Sequence, residues 1–375
     1  MSTIGNTTIS FSEEQAMLMN VAREFCRDKS PIGEVRDQLE TPTGFDQAIW
    51  DEMVNLGWSG IALPESCGGS GLGVAALVPV VEAMGRAMLG TPLIATSLAA
   101  QLLLRAAGEA TAERWLAGIA GGEIATIALL DGGDWGADNT GLALADDGTL
   151  SGAKRFVQDA AVAQLFVVLA SRDGAPALAV VRREQLSDDA FSENTLIDQT
   201  RRSANIDFTG VHVAAEDVIA GAAVASALRD TQLLGALLVA VEATGTTSAC
   251  LDTIVEYLTT RKQFGKLIGS YQALKHPTVD ILVSLDSSRS FIYHAASVIG
   301  DAELDRDAEV ACRMAKVQAT ESLLYAGDRA VQFHGGMGFT YECDAQLYIR
   351  RAQWAQQQYG DARYHRKHLA ALLLD

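Results

Sequence analysis

The spacing of apolar residues changes twice along this chain, and that double change limits the possible folds more than any single motif. Through about residue 120 apolar positions recur at helical spacing, clearly so from Val74 to Leu89 and again from Pro92 to Leu116. Ser12-Glu13-Glu14 offers a capping residue and early acids for the first helix, and Leu63-Pro64-Glu65-Ser66-Cys67-Gly68-Gly69-Ser70-Gly71 interrupts the pattern as a loop. From Ile124 to Val218 short apolar runs (Ala125–Leu130, Leu165–Ala170, Leu178–Val181, Ala204–Phe208) alternate with turns such as Asp146-Asp147-Gly148 and Arg172-Asp173-Gly174. From Ala222 onward helices return, with breaks near Leu267–Ser270, Gly300–Asp305 and His334–Phe339. The order predicts an α+β fold, mainly α. It comprises a helical domain over residues 1–123, a middle antiparallel β domain over 124–221 and a C-terminal four-helix-bundle domain over 222–375.

Composition agrees with long helices around a large core: 49% of residues are hydrophobic and only 7 are proline. The formal charge of −18 argues against nucleic acid and against an anionic membrane surface as partners. Any polyanionic ligand must then be held by local arginines. The five cysteines are scattered without a CxxC pair, which points to free thiols in a reducing compartment. The first residues show neither a basic flank nor an apolar run, and no uninterrupted apolar run of about 18 residues occurs. A cytoplasmic protein without a membrane span is expected. His365 and His368 lie three apart but lack a carboxylate at ligand spacing, so no metal site is predicted.

Two stretches carry chemistry. Arg261-Lys262-Gln263-Phe264-Gly265, followed by Gln272, falls at the end of a predicted long helix. The arginine can fork onto a phosphate, the phenylalanine can lie against a flat ring, and the glutamine can hydrogen-bond an adenylate. Gln332-Phe333-His334-Gly335-Gly336-Met337-Gly338 closes a later helix, and its glycines allow a diphosphate to approach backbone N–H groups. Either stretch alone could be an ordinary helix end. As a pair, within this order of domains, they resemble the two cofactor motifs of the acyl-CoA dehydrogenases. The resemblance spans essentially the whole chain. It includes Gly57-Trp58, Leu63-Pro64-Glu65 and Glu82-Ala83-Met84-Gly85-Arg86 in the first domain. It implies that FAD is the cofactor. Arg261, Phe264 and Gln272 would reach across a subunit interface to the adenosine-diphosphate half of a neighbour's flavin, and Gln332, Gly335 and Gly336 would contact its adenine end. It further implies an acyl-CoA thioester as substrate, a homo- or hetero-oligomer with a chain of the same family, and electron-transfer flavoprotein or another acceptor.

The resemblance weakens where the flavin ring should sit. The family's strand with small and hydroxyl residues reads Ile127-Ala128-Leu129-Leu130 here, with no hydroxyl. Its Gly-x-Lys-x-Trp-Ile-Thr-Asn segment reads Gly152-Ala153-Lys154-Arg155-Phe156-Val157-Gln158-Asp159, so Phe156 would take over packing on the ring. The α-proton of the thioester must be removed by a carboxylate against the flavin plane. The family's two positions for it fall on Tyr359 and Gly235. Asp361, two residues on, and Glu242, two turns along the same helix, are the nearest acids. Three readings follow. The chain is a subunit that lends the adenosine-diphosphate site to a partner; or it is self-sufficient, with Asp361 or Glu242 as base; or it is a flavin oxidase or monooxygenase of the same fold.

Overall fold

The computed structural model describes residues 13–136, 141–300 and 303–374. The Ser12 cap lies outside them. The first domain holds α1 (Glu13–Lys29), α2 (Ile32–Gln38), α3 (Gln47–Asn55), α4 (Leu77–Ala87), α5 (Leu93–Ala107) and α6 (Glu109–Ala120). Gly108, at φ +74°, separates α5 from α6.

The middle section supplies β1 (Ala125–Ala128), β2 (Ala143–Leu144), β3 (Leu150–Ser151), β4 (Ala153–Gln158), β5 (Leu165–Arg172), β6 (Ala175–Arg182), β7 (Phe191–Glu193), β8 (Ser203–Asp207) and β9 (Val218–Ala220). β5 and β6 form an antiparallel hairpin in register from Leu165↔Arg182 to Arg172↔Ala175. Its tip, Asp173-Gly174, has both residues at positive φ, the conformation a two-residue hairpin requires. The sheet is not purely antiparallel as expected: β1 and β2 both run parallel to β5. The long excursion between β1 and β5 carries three strands and brings the chain back in the same direction, which a short turn cannot do. β4, β8 and β7 form a separate three-stranded sheet, and β4 is bulged between Lys154 and Val157.

The last section is built on α7 (Ala223–Thr260), followed by the small hairpin β10 (Lys262–Gln263) and β11 (Lys266–Leu267), then α8 (Gln272–Val298), α9 (Arg306–His334), α10 (Ala345–Gln357) and α11 (Ala362–Leu374). By length and composition α7 could cross a bilayer, but 94% of its most apolar stretch is buried inside the protein, as in a core helix. It packs against α4, α5, α8, α9 and α10. The crossing with α4 is close because glycines face backbone there. A Cβ on Gly85 would stand 2.1 Å from the Glu242 carbonyl oxygen, and one on Gly245 would stand 2.0 Å from that of Glu82.

Buried charge joins the middle section to the bundle. Glu242 pairs with Arg201, and with Arg351 at 3.1 Å; Arg351 also holds Asp198, and all four side chains are at least nine-tenths buried. Arg202 donates to the carbonyls of Gln38, Leu39 and Thr41, tying the loop after α2 to the same segment.

Candidate functional site

β1, the bulge of β4 and the turn after α10 converge on one small space. Its walls are Thr126, Ile127, Leu129, Leu130, Trp135, Arg155, Phe156, Gln158 and Tyr359, with Ala95 from α5. This is where the resemblance places a flavin ring, yet the space amounts to about 10 Å³. The Trp135 ring lies on Tyr359 with centroids 4.4 Å apart, and Gln158 Nε2 donates to Gln358 Oε1 at 3.0 Å across the slot. Phe156, on the bulge at φ +53°, is half-exposed at the slot's edge. The expectation that this strand carries no hydroxyl is corrected. Thr126 is part of β1, lines the slot, and donates through Oγ1 to the Gln158 carbonyl at 2.7 Å.

Tyr359 and Gly235, the two positions where the family places its base, touch each other. A Cβ on Gly235 would stand 2.5 Å from Tyr359 Cε1, so the phenol ring fills the room a side chain at 235 would need. Burial, with a smaller contribution from Asp159, pushes the Tyr359 phenol above its ordinary range. A phenol so raised is still further from serving as a base near neutral pH. The segment is fixed from beneath. Tyr359 and Gly360 both have positive φ. The buried Lys316 ammonium donates to the carbonyls of Ala355, Gln356 and Gly360 at 2.9, 3.2 and 3.0 Å. Burial lowers its pKa to about 7, against a smaller opposing pull from Asp361. His365 Nε2 donates to the Tyr359 carbonyl at 3.0 Å, which leaves Nδ1 to accept from Arg313 at 3.3 Å. Burial and the cations Lys316 and Arg313 lower its pKa to about 3, so the ring is neutral.

On the other side of Tyr359 opens a cleft of about 760 Å³. Leu228 and Leu233 of α7 form an apolar wall, Tyr359 and His365 form the floor, and Arg229, Lys367 and His368 stand at the rim. The charges there are mixed: Arg229 pairs with Asp230 at 2.8 Å and with Glu303 at 3.5 Å, and Glu309, paired with Arg313, lines the same cleft.

The acids named from sequence are placed otherwise than a base requires. Glu242 is held by two guanidinium groups in the buried network and lines neither the slot nor the cleft. Asp361 is exposed and caps α11, accepting from the Tyr364 N–H at 2.7 Å. An acid that sequence reading missed, Asp159, lies within electrostatic reach of Tyr359. Burial raises its pKa to about 6 against the opposing pull of Arg201 and Arg202. Its place directly after Gln158 was the available signal.

The two cofactor motifs meet at the far end of the bundle. Arg261 caps α7, Phe264 sits at the β10–β11 tip, and Gln272 opens α8. Gln332, Gly335 and Gly336 lie at the end of α9. The ends are joined by Tyr257 stacked on His334, centroids 4.0 Å apart. Arg261, Phe264, Gln272, Gln332, Gly335 and Gly336 are all exposed, Phe264 to 89%. A Cβ on Gly335 or Gly336 would meet nothing within 4 Å. This open, backbone-lined corner with an arginine fits a diphosphate and its adenosine. The slot at Tyr359 does not fit an isoalloxazine ring as it stands. The corner and the slot are also separated by α7, which advances ~39 Å from Gly235 to Arg261 at ~1.5 Å per residue, farther than one dinucleotide reaches.

Comparison with known proteins agrees with this architecture. The description of the acyl-CoA dehydrogenase N-terminal domain matches residues 12–123, and that of the C-terminal domain matches residues 227–374. The chain is 29% identical to acyl-CoA dehydrogenase IpdE2 of Mycolicibacterium smegmatis, over 96% of this chain and 99% of that one. It is 29% identical to the caffeyl-CoA reductase-Etf complex subunit CarC of Acetobacterium woodii, over 88% and 90% of the two chains. Among solved structures, a variant of the Tcur3481-Tcur3483 steroid ACAD superposes with a TM-score of 0.82 at 26% identity, covering 96% of this chain and 98% of that one. The ChsE4-ChsE5 complex of Mycobacterium tuberculosis shares the fold, with a TM-score of 0.86 at 23% identity, covering 98% and 99%. The chain belongs to the acyl-CoA dehydrogenase family of FAD-dependent oxidoreductases.

Proposed function

We propose that this chain is one subunit of a heteromeric acyl-CoA dehydrogenase. It lends Arg261, Phe264, Gln272, Gln332, Gly335 and Gly336 to the adenosine-diphosphate half of an FAD whose ring and base belong to the partner chain. The observation that carries the reading is the closed slot. Trp135 packs on Tyr359 in the slot where the resemblance puts the ring, Tyr359 takes the room beside Gly235, and the adenosine-end residues stay open at the opposite end of α7. The cleft beside Tyr359 supports thioester binding without turnover. The likeness to a steroid ACAD supports a bulky acyl group, and the likeness to an Etf-complex subunit supports an electron-transferring flavoprotein as acceptor. Five free thiols, four of them buried, support a reducing cytoplasm.

The test is purification of the chain alone and together with a family partner encoded beside it. Each preparation is read by flavin absorbance and by acceptor reduction with a panel of acyl-CoA esters. Flavin and turnover in the complex only are expected. Without a placed carboxylate, proton removal should be slower by on the order of 10²–10⁴. Turnover by the lone chain that is lost in Asp361→Asn or Asp159→Asn, or in a Glu242→Gln variant shown by thermal unfolding to be folded, would establish a self-sufficient dehydrogenase instead.

A further inference from the structure

A second cavity, of about 250 Å³, lies between α1, α4, α7 and α8, on none of the surfaces described so far. Arg23, Glu82, Arg86, Ser248 and Arg289 line it, with Gly245 at its base. Arg86 Nη1 donates to Ser248 Oγ, and Arg289 Nη2 reaches the same oxygen at 3.4 Å. Two guanidinium groups therefore converge on one neutral hydroxyl. Elsewhere Arg86 pairs with Asp252, largely in solvent, and Arg289 Nε donates to Glu82 at 2.9 Å. Glu82 is shared further, since it also accepts from the Tyr293 hydroxyl. Arg23, exposed at the mouth, has no ion-pair partner among the described residues.

Three cations thus line the cavity against two carboxylates, and the point that Arg86 and Arg289 share is an uncharged oxygen. In a protein of net charge −18, that is a local excess of positive charge with donors already aimed inward. We propose that this cavity is a binding site for a small phosphate dianion, free or as a phosphate monoester. The three arginines come from three helices and approach from different directions, which suits a tetrahedral oxyanion better than a planar carboxylate. The volume is below the roughly 300–1,000 Å³ of clefts that enclose larger organic ligands, so a whole nucleotide is excluded.

The experiment is calorimetric titration of the full chain with sodium phosphate, and separately with malonate, at constant ionic strength. Saturable binding of one phosphate is expected. Arg23→Gln and Arg289→Gln should each weaken it about 10- to 100-fold, the loss of one charge-assisted contact. Arg23 is exposed, so its variant keeps the fold; thermal unfolding of each variant checks this. Arg261→Ala and Arg229→Gln should leave phosphate binding unchanged, which separates this cavity from the dinucleotide corner and the cleft. Absence of saturable binding, or affinity indifferent to Arg23→Gln, overturns the site. Malonate binding as tightly as phosphate overturns the phosphoryl assignment.

Discussion

Glu242 illustrates how one carboxylate can satisfy a sequence argument and serve another purpose. Its distance along α7 from Gly235 suggested a base, whereas its side chain bridges Arg201 and Arg351 in the interior. Glu242→Gln leaves two buried cations short of a partner. The expected loss is about 3–5 kcal/mol of stability, measured by urea unfolding, with little change in the turnover of an assembled complex. His365 gives a pH dependence with a definite sign. Its native pKa is held down to about 3 by burial and by the neighbouring cations Lys316 and Arg313. The unfolded chain takes up that proton near pH ~6.5. The unfolded state therefore binds more protons between those values, and stability should fall as pH drops from about 6.5 toward 3, by a few kcal/mol. Unfolding midpoints across that range should show the decline, and His365→Gln should flatten it. Neither role was legible in the sequence, because pairing across the fold leaves no local pattern.

Among the elements, α7 carries the most information. Its apolar length, its arginine-bearing end and its glycines were all visible in the sequence, as were the turn at Asp173-Gly174 and the helix breaks that followed. What the glycines do was not visible, since it depends on which helix crosses where. Alanine favours helix over glycine by about 1 kcal/mol, so Gly85→Ala and Gly245→Ala would stabilise an isolated helix. Here both are expected to destabilise the protein, because each methyl group would meet a carbonyl oxygen of the crossing helix near 2 Å. A lower melting temperature for both variants, by several degrees, is the outcome to look for. The parallel placement of β1 and β2 against β5 was equally hidden, because strand patterns carry direction only through the connections that the fold selects.

For the whole molecule, the arrangement of open corner and closed slot is read through assembly. Arg261→Ala and Phe264→Ala change exposed groups, so the isolated chain should keep its stability within about 0.5 kcal/mol. The complex carrying them should lose flavin on gel filtration, because a charge-assisted phosphate contact worth about 1.5–3 kcal/mol is gone. Full flavin retention would remove the corner from the cofactor site. The contact between Gly235 and Tyr359 has a consequence for the routes open to mutation. A glutamate placed at 235 finds its space taken by the phenol ring, so that change alone is blocked by collision. A glutamate placed at 359 removes the ring that packs on the bare glycine backbone, and leaves a gap under Trp135. Each single step is unfavourable while the other residue stands. A lineage holding this pair is held on its side of a two-step barrier, and acquires a carboxylate there only by changing both residues together.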